Sequence, residues 1–297
     1  MVQIENLVKE FDGYRALNKL NLNIKKGSIY GLVGINGAGK TTAIKHLAGI
    51  YRQDSGHVRI NSEDVYDNEH IKSIMGYIPD DLYFFPQYNM KSLRRFYSSM
   101  YKNWNETRYR SLLEIFELNE KRRVGKFSKG MQKQAAFVFV MSIMPEILLL
   151  DEPIDGLDPI VRKQVFNEII DDVAERQMTV LISSHNLKEM DGICDSIGII
   201  KNGRMLIERD LDDLKSDVHK VQVAFGAEQN GFDSLGLEIL HREDRGSIKL
   251  LVIRGTEEEV TQRINSANPQ VFDRLSLTLE EIFIYETEGT NSNEIPY

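Results

Sequence analysis

Three regimes of apolar patterning follow one another along the chain. From residue 2 to residue 33 apolar and polar positions alternate, Leu20, Leu22 and Ile24 among them, and a period of two predicts antiparallel strands. Within that stretch Ser28-Ile29-Tyr30-Gly31-Leu32-Val33 is nearly continuously apolar and predicts a buried strand, followed by a helix from Thr41 to Ala48 carrying Ile44 and Leu47. From about residue 88 to 145 the period lengthens to that of helices and closes on the apolar stretch Ala135 to Met144. Ile147-Leu148-Leu149-Leu150 and Thr179-Val180-Leu181-Ile182 then read as strands, the first covered on both faces as in the centre of a parallel sheet. Beyond Leu214 the character changes. Val221-Gln222-Val223-Ala224-Phe225 and Lys249-Leu250-Leu251-Val252-Ile253 predict strands, and Glu257 to Ile264 and Leu279 to Ile284 predict short helices. Thr278 and Glu281 have the spacing of a capping box at the start of the last helix. The pattern predicts an α/β main domain over residues 1–215, a small accessory α+β domain over 216–289, and a polar, disordered tail over 290–297.

Chemistry enters at the octapeptide Gly34-Ile35-Asn36-Gly37-Ala38-Gly39-Lys40-Thr41, which lies between a predicted strand and a predicted helix. Its glycines let main-chain N–H groups turn inward on phosphate oxygens, and the positive end of the following helix faces the same anion. Lys40 adds a charge for the outer phosphates, the Thr41 hydroxyl can ligate Mg2+, and Asn36, Ala38 and Thr42 complete the cradle. The segment reads as a site for ATP or GTP. Downstream, the strand ending in Asp151-Glu152-Pro153 delivers two carboxylates to the carboxyl end of a sheet, where α/β proteins bind ligands. Asp151 is the expected partner of Mg2+, and Glu152 is placed to take a proton from a water attacking the terminal phosphate. Between them Phe127-Ser128-Lys129-Gly130-Met131-Gln132 precedes the apolar helix. Ser128 is its expected N-cap and Gly130 permits close approach of an anion.

Together these residues resemble the nucleotide-binding subunit of an ATP-binding cassette (ABC) transporter, a likeness spread over roughly residues 1 to 215. Gly34 to Thr41 match the family's Walker A loop, Ile147 to Asp151 its Walker B strand and Glu152 its catalytic glutamate. Phe127 to Met131 resemble the signature loop, with Lys129 and Met131 in place of a Gly and the Gln. Ile154-Asp155-Gly156-Leu157-Asp158 resembles the D-loop, and Ser183-Ser184-His185 the switch histidine. The resemblance implies a P-loop NTPase, RecA-like, with a parallel-sheet core, an antiparallel β subdomain and a helical signature subdomain over about 88–145. It also implies two subunits that sandwich two nucleotides, the signature loop of one closing on the Walker loop of the other. His185 would then hold the terminal phosphate, and Asp158 would pass the state of one site to its neighbour. The family stacks an aromatic ring on adenine near the N-terminus, and Phe11 matches that position better than Tyr14. Where the family has a Gln after the strand at Met75-Gly76-Tyr77-Ile78-Pro79, this chain has Asp80 followed by Asp81. Asp80 is shorter and anionic, a candidate Mg2+ ligand directly or through water. Lys133 and Gln134 stand where the signature helix has an Arg, a change expected to weaken intersubunit or acidic contacts and pointing to a non-identical partner. Leu82-Tyr83-Phe84-Phe85-Pro86 is placed to line the groove that receives a coupling helix from a membrane subunit, or to pack within the domain.

Composition agrees with this picture. At 297 residues the chain exceeds a usual single core, and a formal net charge of −8 argues against wrapping nucleic acid. Lone Cys194 excludes an internal disulfide and suits a reducing cytoplasm. Lys9 and Glu10 leave no secretory signal, and no apolar run reaches the roughly 20 residues that span a bilayer. The expectation is therefore a cytoplasmic ATPase, peripheral on the inner face of the membrane. It would power a separate permease, most like exporters of drugs or antimicrobial peptides, as a homo- or heterodimer. A soluble ABC ATPase acting on ribosomes or DNA is the rival, disfavoured by the single cassette and the absence of a heptad insertion. A small GTPase would need an Asn-Lys-x-Asp loop, and a regulatory module that never turns over ATP is the third possibility.

Overall fold

The computed structural model describes residues 1–224 and 235–288. The chain divides into two units, the first Met1–Asn186 with Gly192–Glu208, the second Leu187–Asp191 with the residues from Arg209 onward.

The first unit opens with β1 (Val2–Phe11) and β2 (Tyr14–Ile24), whose alternating burial places Leu20, Leu22 and Ile24 inward as their spacing requires. The next strand, β3 (Ile29–Val33), is buried at all five positions. It leaves the antiparallel arrangement expected for residues 2–33 and joins a parallel sheet, because only a strand covered on both faces has no polar side to present. A glycine-rich turn leads into α1 (Lys40–Leu47). Then come β4 (Ser55–Ile60), β5 (Glu63–Asp64), α2 (Glu69–Ser73) and β6 (Met75–Ile78). The helical region follows as α3 (Met90–Met100), α4 (Glu106–Ile115) and α5 (Lys129–Ser142). After it run β7 (Ile147–Asp151), α6 (Pro159–Arg176), β8 (Thr179–Ser184), β9 (Ser196–Lys201) and β10 (Arg204–Asp210).

Two sheets result, one in the order β2-β1-β4-β5 and one in the order β10-β9-β3-β8-β7-β6. In the second, β3 pairs in parallel with β8 and β9, and β7 with β6 and β8, so the carboxyl ends of β3, β7 and β8 lie side by side. One apolar cluster joins Val2, Leu7 and Leu20 to Leu32, Ile44, Leu149 and Leu181, seating α1 between the sheets. α5 is buried from Gln134 through Ser142. Its Phe139 stacks on Tyr97 of α3 at 5.0 Å and on Tyr109 of α4 at 5.9 Å. Arg108 of α4 reaches Glu168 (2.7 Å) and Asp172 (3.1 Å) of α6, and Arg176 closes on Asp172 at 2.8 Å.

The second unit contains α7 (Leu211–Asp217), β11 (Val218–Ala224), β12 (Glu238–Arg245), β13 (Ile248–Arg254), α8 (Glu257–Ser266), β14 (Val271–Leu275) and α9 (Leu279–Glu288). Its sheet, ordered β12-β13-β11-β14, turns Val221, Val223, Leu251 and Ile253 onto Val260 and Ile264 of α8. The capping box at α9 is made, with the Thr278 amide donating to Glu281 Oε2 at 3.0 Å and the Glu281 amide to Thr278 Oγ1 at 3.3 Å. Strands β12 and β14 are additions to the sequence expectation. The division between units falls after Glu208 and not after 215, and Leu187–Asp191 goes with the second unit. Phe225 and the tail at 290–297 lie outside the described residues.

Candidate active site

The turn between β3 and α1 is shaped by backbone no side chain tolerates. Gly37 and Gly39 have φ of +81° and +112°, and a Cβ on Gly34 would stand 2.5 Å from the Ile200 carbonyl. Ile35, Asn36 and Gly37 are exposed at the tip, whereas Ala38 and Lys40 are buried. α1 starts at Gly39 with no side-chain cap, so its first amides are open to an anion. Lys40 Nζ folds back over the turn, donating to the carbonyls of Gly34 (2.5 Å) and Ile35 (3.3 Å). It also lies 3.1 Å from Glu152 Oε1. That last approach is a charge contact without hydrogen-bond alignment, for Glu152 Oε1 is buried and accepts no hydrogen bond among the described residues.

Glu152, immediately after β7, is the hub. His185 Nδ1 lies 3.0 Å from its Oε2, and because a carboxylate only accepts, Nδ1 is the donor. Asp155 joins the group, with ligand atoms of Glu152, Asp155 and His185 all within 4.8 Å of one another. Beside it, Asp151 Oδ1 accepts from Ser183 Oγ at 2.7 Å and from Thr41 Oγ1 at 3.2 Å. Burial pushes the Asp151 carboxyl up from the ordinary carboxylate range and the nearby Glu152 and Asp80 charges add to this, while the two hydroxyl hydrogen bonds oppose it. The sheet explains the convergence. Asp151 and Ser183 are register partners on β7 and β8, so motifs 32 residues apart meet at one edge.

Other predicted residues are placed differently. Ser128 caps α5, accepting from the Met131 amide at 3.2 Å. Gly130 lies so near Gly156 that a Cβ would stand 3.0 Å from its carbonyl oxygen. Among the described residues no hydrogen bond or ion pair joins Ser128 or Gly130 to residues 34–42. Asp158 caps α6, its Oδ1 accepting from the amides of Ile160 and Val161 at 3.0 Å each. Phe11 is partly exposed and meets Tyr51 edge-on at 5.3 Å, whereas Tyr14 projects further into solvent. Thr42 is half-buried on the first turn of α1. Asp80 Oδ1 is 3.3 Å from Lys133 Nζ, so two of the residues that depart from the family pattern pair with each other. Sequence reading gave Ser183 no role of its own; its place at the end of a strand parallel to β7 was the available signal. It also did not foresee the Lys133 contacts, which bridge residues far apart in sequence.

The ABC transporter family profile matches residues 17–155. An ABC transporter ATP-binding protein of Bacillus subtilis, YtrB, is 31% identical over 290 residues, spanning 97% of this chain and 99% of its own length. The chain belongs to the ABC transporter ATP-binding family. The bacitracin transport ATP-binding protein BcrA of Bacillus licheniformis is 34% identical over 72% of this chain and 71% of its own. The lantibiotic transport ATP-binding protein SrtF of Streptococcus pyogenes is 33% identical over 71% and 92%. Among solved structures, an ATP-binding subunit of an ABC transporter superposes with a TM-score of 0.67 at 27% identity, covering 72% of this chain and 92% of that one. A dimeric bacterial ABC transporter cassette, 21% identical with a TM-score of 0.64 over 71% and 99%, shares the fold. The chain is accordingly an ATP-binding, ATP-hydrolysing subunit with the P-loop α/β architecture. No helix among the described residues is long and apolar enough to cross a membrane.

Proposed function

We propose that this ATPase works as one half of a cassette dimer, in the cytoplasm on the inner face of the membrane, and powers a separate permease that exports antimicrobial peptides. The observation that carries the catalytic part is the meeting of Lys40, Glu152 and His185, at 3.1 and 3.0 Å, beside a cap-free helix start. The names of the bacitracin and lantibiotic transport relatives support the cargo class.

In this reading the amides of residues 34–42 and Lys40 hold the phosphates, and Phe11 offers a face to the adenine. Lys40, drawn to the γ-phosphate, leaves Glu152, and Oε1 takes the proton of the attacking water. His185, held by Oε2, orients that water and the terminal phosphate. Thr41, Asp151 and Asp80 are hard oxygen donors of the type that suits Mg2+; Thr41 and Asp151 already stand 3.2 Å apart. When bound, Mg2+ supplies charge neutralisation between the phosphate oxygens. Ser128 and Gly130, which make no hydrogen bond with the phosphate loop of their own chain, serve the site of the second subunit, and Asp158 carries the signal between sites. Tyr83 and Phe85, both exposed and 5.7 Å apart, form the patch for the permease.

Glu152→Gln tests the assignment. Turnover is expected to fall by about 10²- to 10⁴-fold with ATP still bound and a dimer accumulating in gel filtration. Unchanged turnover removes Glu152 from its role. Copurification from detergent with a membrane protein, and resistance to a bacitracin- or lantibiotic-type peptide on co-expression, support the transport reading. Recovery with ribosomes and no permease overturns it.

A further inference from the structure

Glu152 has φ of +47°, in the left-handed region, although it carries a side chain and precedes Pro153. Residues before proline are driven toward extended backbone, so this conformation is disfavoured twice and persists only if its surroundings impose it. The structure shows what holds it. On one side the Glu152 amide donates to Ser183 Oγ at 3.0 Å. On the other, the Glu152 carbonyl accepts from Lys133 Nζ at 2.7 Å. Lys133 sits in the second turn of α5 with its side chain only 10% exposed, and Asp80 at 3.3 Å gives the ammonium its counter-charge.

We infer that Lys133 is a positioning residue for ATP hydrolysis: its ammonium, steadied by Asp80, grips the Glu152 carbonyl and locks the left-handed backbone that aims the carboxylate. A partly buried ammonium this close to a carbonyl makes a charge-assisted hydrogen bond, stronger and more directional than a neutral one. Among the described residues Lys133 makes no hydrogen bond or ion pair with the carboxylate of Glu152 or with any residue from 34 to 42, so it acts on the reaction through the backbone. The same helix begins at Ser128, and Lys133 is therefore the rigid link between the signature loop and the proton acceptor. The two side chains act on opposite ends of one residue, Ser183 fixing the peptide entering Glu152 and Lys133 the peptide leaving it.

The inference rests on Glu152 being the proton acceptor, and the two can fail separately. In the full-length protein with Mg2+ and ATP, Lys133→Met is expected to lower kcat by about tenfold or more, the size of one lost charge-assisted hydrogen bond. The nucleotide Kd should stay within about twofold, and the half-saturating Mg2+ concentration should not rise, because Asp80 loses a competing cation. Lys133→Arg should recover at least half of the loss, since a guanidinium can reach the same carbonyl and carboxylate. In single-turnover measurements on a Glu152→Gln background, Lys133→Met should add less than about a further twofold, as residues acting as a unit are not additive. If Lys133→Met does not fold, Lys133→Gln, neutral and shorter, takes its place with the same expected direction. An unchanged kcat overturns the inference. So does a loss matched by weaker nucleotide or Mg2+ binding, or one that arginine does not relieve. If Glu152→Gln itself turns over normally, the catalytic reading fails first; if it is inactive while Lys133→Met is normal, only the role of Lys133 falls.

Discussion

Asp151 sits 1% exposed at the end of β7 with two hydroxyls on its carboxylate, while two further acids lie near. Its pKa in the fold is raised above the unfolded value. The ionised form is therefore a cost that is absent below the usual carboxylate range and fully present at neutral pH. Asp151→Asn is expected to raise the Tm of the nucleotide-free protein at pH 7.5 by roughly 2–4 °C, a gain on the order of 1 kcal/mol. The gain should shrink as pH falls through the raised range of the native carboxyl, and ATP turnover should be lost throughout. Differential scanning calorimetry across pH reads it; a lower Tm for the variant at pH 7.5 would contradict the sign. His46 runs the other way. It is 1% exposed with Nδ1 on the Thr42 carbonyl at 2.8 Å, and burial holds its pKa below the ordinary imidazole value. Its stabilisation is complete above the unfolded imidazole pKa of about 6.5 and is lost as pH falls below it. His46→Leu should flatten the acid limb of stability below about pH 6.5. At this scale the site motifs were legible because glycine, lysine and acid spacing is a local pattern. The grip of Lys133 was not, because its partners Asp80 and Glu152 are separated from it by 53 and 19 positions.

Elements were readable in proportion to how much apolar surface they bury. β3, β7 and β8 are buried at every position, and α5 over nine consecutive residues, so their patterns are continuous and unmistakable. Among the strands that the pattern did not announce, which also include β4, β5, β9 and β10, β12 and β14 are the two edges of the accessory sheet, and β14 has four of five residues exposed. An edge strand gains its place from backbone pairing, and β12 carries His241-Arg242-Glu243-Asp244-Arg245 where a central strand would carry aliphatics. β3 shows both sides of this: its continuous apolar run reads as a buried strand, as it is, whereas the alternation drawn over residues 2–33 sets it among antiparallel strands and the structure places it in the parallel sheet. Between elements, Arg108 is the sharpest test. Arg108→Met leaves Glu168 and Asp172, 13% and 6% exposed at their side chains, with Arg176 as the remaining cation. A loss of about 2 kcal/mol is expected, or a Tm lower by roughly 4–8 °C, because breaking one side of a buried pair strands the other. A change below about 1 °C would show that the bridge between α4 and α6 is solvated.

On the scale of the molecule, the bacitracin transport relative matches 72% of the chain, whereas the YtrB match runs through 97% of it and so includes the accessory unit. The accessory unit is not simply appended. After Asn186, one residue past His185, the chain leaves the first unit, spends Leu187–Asp191 in the second, and returns at Gly192. Within that second unit Lys188 pairs with Glu280 of α9 at 3.1 Å. A fragment ending at Glu208 would keep Lys40, Asp151, Glu152 and His185 but deprive those five residues of the second-unit residues they are grouped with. It is expected to bind ATP and to turn it over at least about threefold more slowly than the full chain; equal rates would show that the segment holds its course unaided. Just past His185 the backbone belongs to one unit, then for five residues to the other, then to the first again, so the two share a covalent passage beside that imidazole.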